Sequence, residues 1–269
     1  MTLKGKVVVV TGSTRGIGRA IAEFCARDGA KVVISSRKKK AVKATVNTFR
    51  QRGFKVSGTV ADMSRPEDVQ ALLEHAITEW KKVHVWINNA GLSSGYRYLE
   101  DIPPDEISDV VNTNLTGTLY CCRALIPYFA GHGGGVIINM TGRGGKGDAP
   151  PFLTTYAATK AAVTSLTKSL AKENKGKPVS IHCLSPGMVE TDFYKDIKVS
   201  RRLRKEAGNI PYALKAFGVK ANVVGREVAR LAAQKPGKAT GKNYSLLTGT
   251  RTIRGIALMT WWRITGKLA

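Results

Sequence analysis

Lys6-Val7-Val8-Val9-Val10-Thr11-Gly12-Ser13-Thr14-Arg15-Gly16-Ile17-Gly18 is the stretch from which the rest of the chain can be read. Val7 to Val10 are β-branched and apolar without alternation, which marks a strand buried on both faces of a parallel sheet. The apolar spacing from Ile17 to Arg27 is that of a helix. Between them Gly12 permits a tight turn, Gly16 lets the backbone approach a ligand and Gly18 allows close helix packing. A strand, a glycine turn and a helix amino end together make a pyrophosphate site, because free backbone N–H groups and the helix dipole both point at it.

Outward from this unit, strands and helices alternate. Strands are expected at 32–35, 55–60, 83–87, 135–139 and 179–184, and helices at 39–52, 66–81, 112–129 and 155–172. That alternation is the βαβ pattern of a parallel sheet. A chain of 269 residues with 43% apolar content buries a full core as one domain, and Gly-rich stretches such as 131–135 and 142–147 fall between elements as loops. The domain is expected over 1–249, with a basic and aromatic tail over 250–269.

Tyr156 and Lys160 stand four apart, on one face of the expected helix, and can address a single ligand side by side. A phenol ionises near pH ~10, and a neighbouring cation is expected to favour the phenolate and draw that value toward working pH. The pair reads as a proton donor for a carbonyl oxygen.

With Thr11 to Gly18, Asn88-Asn89-Ala90-Gly91, Asn114, Tyr156 with Lys160, and Ser185-Pro186-Gly187 in this order, the chain resembles the short-chain dehydrogenase/reductase family over roughly 3–192. The resemblance implies a doubly wound Rossmann-type α/β fold of about seven parallel strands and a nicotinamide cofactor. It implies that Tyr156 protonates the carbonyl oxygen, that Lys160 holds the nicotinamide ribose, and that Asn114 supports a water relay. It assigns Gly12, Ser13, Thr14, Arg15, Gly16, Ile17 and Gly18 to the cofactor, Asn88, Ala90 and Gly91 to its adenine and ribose side, and Pro186, Gly187, Val189 and Thr191 to the nicotinamide end. Asp62 and Met63 resemble the adenine contact, although Asp62 before Ser64-Arg65-Pro66 equally fits local helix capping. Dimers or tetramers are usual in the family.

The end of the second strand selects among nicotinamide cofactors. An acidic residue there would bond a ribose 2′-hydroxyl, whereas this chain reads Ser35-Ser36-Arg37. Arg37 and Arg15 offer forks for a 2′-phosphate and Ser36 a further donor, so NADPH is expected; Lys38 to Lys40 fit a solvated helix start.

The loop before Tyr156 departs from the family pattern. The usual serine or threonine lies thirteen residues earlier, where this chain has Arg143; counted from the strand, its place falls on Gly142. Thr141 is the nearby hydroxyl and the expected partial substitute. A backbone N–H of 142–145 could serve instead, or catalysis could be lost and the protein be an NADPH-binding sensor or scaffold. The run 139–145 together with 184–192 is similar to the chlorophyll b reductase branch, which also has glycine there. That resemblance implies NADPH-dependent reduction of the formyl group of a large, flat tetrapyrrole; a generic 3-oxoacyl or lipid ketoreductase is the alternative.

From Phe193 to Ala269 there are 17 Lys and Arg against 3 Asp and Glu, which is +14 of a total +24. This charge exceeds what NADPH requires, and no nucleic-acid motif accompanies it, so nucleic acid is not an expected partner. Residues 193–222 are the expected lid, with Lys195, Lys198, Arg201, Arg202, Arg204 and Lys205 read either as a solvated helix face or as a holder for a substrate carboxylate or phosphate. In the tail, Ile253, Ile256, Leu258, Met259, Trp261, Trp262, Ile264 and Leu268 interleave with Arg251, Arg254, Arg263 and Lys267. This suits anionic lipid, too short and charged to span a bilayer, and equally suits a tail packed on the pocket or a second subunit. Cys25, Cys121, Cys122 and Cys183 read as buried small hydrophobes of a reducing compartment, and the four histidines have no ligand spacing, so no catalytic metal is expected. The chain runs from Met1 straight into a strand, which makes a cytoplasmic location, with peripheral membrane contact, the expectation.

Overall fold

In the computed structural model, which describes residues 2–191, 194 and 197–268, the valines of β1 (Val7–Val10) form the third strand, between β2 and β4, of a seven-stranded sheet of order β3-β2-β1-β4-β5-β6-β9. The other strands are β2 (Lys31–Ser36), β3 (Val56–Val60), β4 (Val85–Asn88), β5 (Gly135–Met140), β6 (Val179–Ser185) and β9 (Asn243–Ser245), and every pairing is parallel. β7 (Met188–Val189) and β8 (Gly218–Val219) form a separate small ladder.

Helices cover both faces, which is why β1 is apolar throughout. Val8 and Val10 pack against α1 (Gly16–Arg27), α2 (Lys39–Gln51) and α9 (Ala221–Ala232) through Ile21, Phe49 and Val228. Val7 and Val9 pack on the opposite side against α3 (Pro66–Trp80) and α5 (Gly117–Gly131) through Leu72, Leu125 and Phe129. Burying each such side chain contributes roughly 1.5–3 kcal/mol. The four cysteines are all buried in these layers.

The helix expected at 112–129 has a different form. α4 (Pro104–Val111) starts eight residues earlier on a proline in its first turn, and a π turn at Asn112–Thr116 joins it to α5. The catalytic-motif helix is α6 (Thr154–Glu173). Beyond β7 the described residues include the short α-helices α7 (Arg204–Ala207) and α8 (Ile210–Phe217), and the tail is itself a helix, α10 (Thr250–Ile264), lying on α8. Among the described residues no helix is long and apolar enough to cross a membrane.

Candidate active site

The glycine turn leaves β1 at the carboxyl edge of the sheet and enters α1, whose amino end has no side-chain cap and no acid in its first turn. Its N–H groups are thus available to an anion. Gly12 has φ +63°, and a Cβ on Gly18 would stand 2.3 Å from the Gly12 carbonyl oxygen and 2.4 Å from Asn89 Nδ2, so only glycine admits the approach. Asn89 locks the turn by donating from Nδ2 to the Thr11 and Gly12 carbonyls at 2.9 and 3.1 Å.

A cavity of about 390 Å³ opens along this edge. It is lined by Gly12, Thr14 to Gly18, Ser36, Arg37, Asp62, Met63, Ala90, Gly91, Thr141, Tyr156, Lys160, Pro186, Gly187, Val189 and Thr191, bringing together nearly all the expected site residues. Ser13, Asn88 and Asn114 are the exceptions. Ser13 is fully buried, and its Oγ accepts from the Ser35 N–H at 3.0 Å, so it ties the turn to β2. Asn88 accepts from Trp86 Nε1 at 2.9 Å and donates to Asn139 Oδ1 at 2.8 Å; its carboxamide is committed within the sheet, and the neighbouring Asn89 faces the cavity. Side chains alternate along a strand, and that period separates the two asparagines.

At the far end of the cavity, Arg37 is half exposed and stands 3.9 Å from Asp62. Asp62 Oδ1 accepts from the Ser64 N–H and hydroxyl at 3.0 and 2.8 Å, while α3 takes Arg65 as its first boundary residue with no side-chain cap. The carboxylate therefore shapes a local turn and also lines the cavity, and the helix-capping alternative is not what it does.

Lys160 is buried, donates from Nζ to the Met140 carbonyl at 3.0 Å and lies 5.5 Å from the Tyr156 ring centre. Burial lowers its pKa from 10.5 to about 8. The Tyr156 phenol moves the other way: burial, and secondarily the neighbouring Tyr194, push it well above the ordinary tyrosine range. This corrects the expected acidification by Lys160. In this geometry the desolvation of both groups outweighs their attraction. Asn114, in the π turn, accepts from the Leu92 N–H at 2.8 Å and donates to the Leu92 carbonyl and Thr159 Oγ1 at 3.0 and 3.1 Å. Its side chain braces the loop after β4 beside Lys160, since a Cβ on Gly91 would stand 3.2 Å from Asn114 Oδ1 and 3.7 Å from Lys160 Nζ.

Thr141 directly follows β5, its N–H donating to the Leu184 carbonyl, and its buried Oγ1 has no partner within the protein. A buried hydroxyl without a hydrogen bond costs about 1–3 kcal/mol, which a ligand oxygen in the cavity would offset. Gly142 follows, so close to the tyrosine that a Cβ would lie 2.4 Å from the phenol oxygen. Asp148 organises the rest of the loop, accepting from the Gly144 N–H at 3.0 Å and pairing with Arg143 at 3.4 Å.

Sequence reasoning missed Tyr194, which lines the cavity beside Tyr156 and whose own phenol is pushed up by burial. An aromatic residue soon after Thr191 was the available signal. The basic lid is also less available than its composition suggests. Lys198 pairs with Glu106 at 2.7 Å, Arg202 pairs with Glu100 at 2.8 Å and stacks over Tyr98 at 4.0 Å, and Ser200 bonds Asp101. These contacts pin the segment to the region before α4, and Lys198, Arg201, Arg202, Arg204 and Lys205 do not line the cavity. Phe193 and Lys195 lie outside the described residues. Among the described residues no group of three His, Cys, Asp or Glu is placed to hold a metal.

The turn, the uncapped α1, the orphaned Thr141 hydroxyl and the buried Lys160 fit a nicotinamide dinucleotide laid along the edge, which supplies or accepts a hydride when bound. Comparison with known proteins agrees. A profile of the short chain dehydrogenase family matches residues 6–202. The chain is 34% identical over 278 residues to the "Probable chlorophyll(ide) b reductase NYC1, chloroplastic" of Oryza sativa subsp. japonica, covering 97% of this chain and 53% of that protein. It is 38% identical over 193 residues to the rice "Chlorophyll(ide) b reductase NOL, chloroplastic", covering 69% and 56%. It thus spans about half the length of these curated relatives. "Dehydrogenase/reductase SDR family member 4" of Bos taurus is 34% identical over 216 residues, covering 80% of this chain and 77% of that protein. Among solved structures, a 3-ketoacyl-(acyl-carrier-protein) reductase from Brucella melitensis complexed with NADH aligns with a TM-score of 0.79 at 29% identity, covering 91% of this chain and 98% of that one. An actinorhodin polyketide ketoreductase variant with NADPH aligns at 0.78 and 27%, covering 90% and 95%.

Proposed function

The chain belongs to the short-chain dehydrogenase family of oxidoreductases, and from that premise we propose that it uses NADPH to reduce the carbonyl of a large hydrophobic compound, specifically the formyl group of a chlorophyll b-type tetrapyrrole. Tyr156 delivers the proton to the carbonyl oxygen. Lys160 binds the cofactor ribose beside the phenol. Thr141 offers the hydroxyl that steadies the substrate oxygen. Arg37, Arg15 and Ser36 take the 2′-phosphate.

The observation that carries the substrate reading is Gly142. A Cβ there would stand 2.4 Å from the Tyr156 hydroxyl oxygen, so the backbone packs on the phenol and no side chain from this position meets a planar ring system brought to the tyrosine. The similarity to two chlorophyll(ide) b reductases supports the same class. Incubation with NADPH and either a formyl-bearing or a methyl-bearing chlorophyllide decides it: turnover of the former with formation of the hydroxymethyl product is expected. Consumption of NADPH only with small water-soluble ketones would replace this reading by a generic ketoreductase, a second reading favoured by the fold likeness to 3-ketoacyl and polyketide reductases. Tight NADPH binding with no turnover on any carbonyl would leave a sensor or scaffold.

A further inference from the structure

The two tryptophans that the sequence places side by side diverge by about 100° on one helix, so that one is buried and the other exposed. Trp262 is buried, its ring edge-on to Tyr212 at 5.3 Å with Lys215 Nζ 5.9 Å above it. Gly255, two turns earlier on the same side, lies so close to Phe217 that a Cβ would meet the ring at 2.2 Å. These contacts fasten α10 to α8. Trp261 is 60% exposed, and with it Ile253, Ile256 and Ile264 at 68, 56 and 76%. Together with Ala257 and Thr260, also exposed, they repeat at helical spacing and form one stripe. At about 100° per residue the stripe is centred opposite Gly255 and Trp262. A helix that has already buried one face thus carries a second apolar face outward.

The surroundings of the stripe indicate what covers it. Arg254 flanks one side and Arg263 the other, while Arg251 and Lys267 stand at the two ends of the helix; all four are exposed, and residues 250–269 contain no acid. A cationic border around apolar and indole side chains complements a layer of anionic headgroups over acyl chains. A helix of 15 residues with this charge lies in such a layer rather than crossing it. The location fits as well. α8 packs on β7, whose Val189 lines the cavity, and Leu247, just before α10, lies within 3.3 Å of a Cβ placed on Gly187. The amino end of α10 is therefore close to the Pro186–Thr191 wall of the site, and α8 lies between the rest of the helix and that wall.

We propose that α10 is an interfacial anchor that docks the protein on an anionic lipid surface through Ile253, Ile256, Trp261 and Ile264, with Arg251, Arg254, Arg263 and Lys267 on the headgroups and the cavity wall beside the membrane. The inference goes beyond the reaction and holds whichever carbonyl compound is reduced.

The test is co-sedimentation of the full chain with vesicles of phosphatidylcholine alone or mixed in equal parts with phosphatidylglycerol, at low and high salt. Wild type is expected to bind the mixed vesicles, to bind neutral ones far more weakly and to be released by salt, with a blue shift of tryptophan emission. The double variant Ile256→Ser/Trp261→Ser, which leaves the Trp262 face intact, is expected to bind at least tenfold more weakly. Circular dichroism and the melting temperature check that it remains folded. Equal binding by wild type and variant, or no preference for the anionic vesicles, would overturn the proposal. So would a lipid-free dimer, seen by sedimentation velocity, that the double substitution dissociates, because the stripe would then belong to a second copy of this chain.

Discussion

A Cβ on Gly142 would stand 2.4 Å from the Tyr156 hydroxyl oxygen and 3.2 Å from Cζ, so the backbone of the β5–α6 loop lies directly against the phenol. Gly142→Ser is expected to displace the tyrosine, to destabilise the fold by about 1–3 kcal/mol through overpacking and to lower turnover. Thermal melts and carbonyl reduction assays read both effects. A more active variant with unchanged melting would show that the missing hydroxyl is a defect and not an accommodation.

Thr141 and Tyr156 should separate by magnitude. Tyr156→Phe removes the proton donor and is expected to lower kcat about 10²–10⁴-fold. Thr141→Val removes a buried hydroxyl that has no partner within the protein, so it should raise stability by about 1 kcal/mol or less while lowering turnover by less than tenfold. Equal losses in the two variants would place the proton on Thr141's side of the site.

The proposed preference for NADPH rests on Arg37. Arg37→Asp should weaken NADPH about ten- to a hundredfold, as expected for a charge-assisted phosphate contact worth about 1.5–3 kcal/mol, and spare or improve NADH. Fluorescence titration with both dinucleotides measures it. Because Asp62 already stands 3.9 Å from Arg37, Asp62→Asn is expected to free the guanidinium and tighten NADPH modestly. Equal affinity of wild type for the two cofactors would remove the basis for both statements.

Lys160 gives the fold a pH signature. Its pKa falls from 10.5 in the unfolded chain to about 8 in the folded one, because burial disfavours the ammonium. Between those values the unfolded chain binds more protons, so stability rises with pH. The charged form is a burden in full below pH 8, and wild type should gain on the order of 3 kcal/mol relative to Lys160→Met as pH rises from 8 to 10.5. Denaturant melts of the two proteins across that window test it, and parallel stability curves would contradict the assignment.

Much of this arrangement was legible in the sequence because its determinants are local. The valines of β1, the glycines of the following turn and the spacing of Tyr156 and Lys160 each carry their meaning within a few residues. What stayed hidden depends on contacts distant in the chain. Asn88 and Asn89 are alike in composition, and only the pairing of β4 with β5, which sets Asn88 against Asn139, tells which one faces the cavity. β9 is a polar strand of three residues that owes its place to β6. Lys198 and Arg202 could not be known to be engaged before Glu106 and Glu100 were found opposite them. The phenol's shift likewise turned on depth of burial, which sequence spacing does not convey.

The π turn at Asn112–Thr116 sets a constraint on how this chain can change. Such a turn holds one residue more than an α turn, and deleting that residue would let α4 and α5 run on as a single regular helix. Because the wide turn absorbs its extra residue locally, α4 and α5 would keep their phase and Cys121, Leu125 and Phe129 would still face the sheet they cover. The change would fall on the turn itself, drawing Asn114 away from Leu92 and Thr159 and leaving the slot beside Lys160 unbraced. A smoother helix would thus spare the core and cost the site, which alone depends on the irregularity.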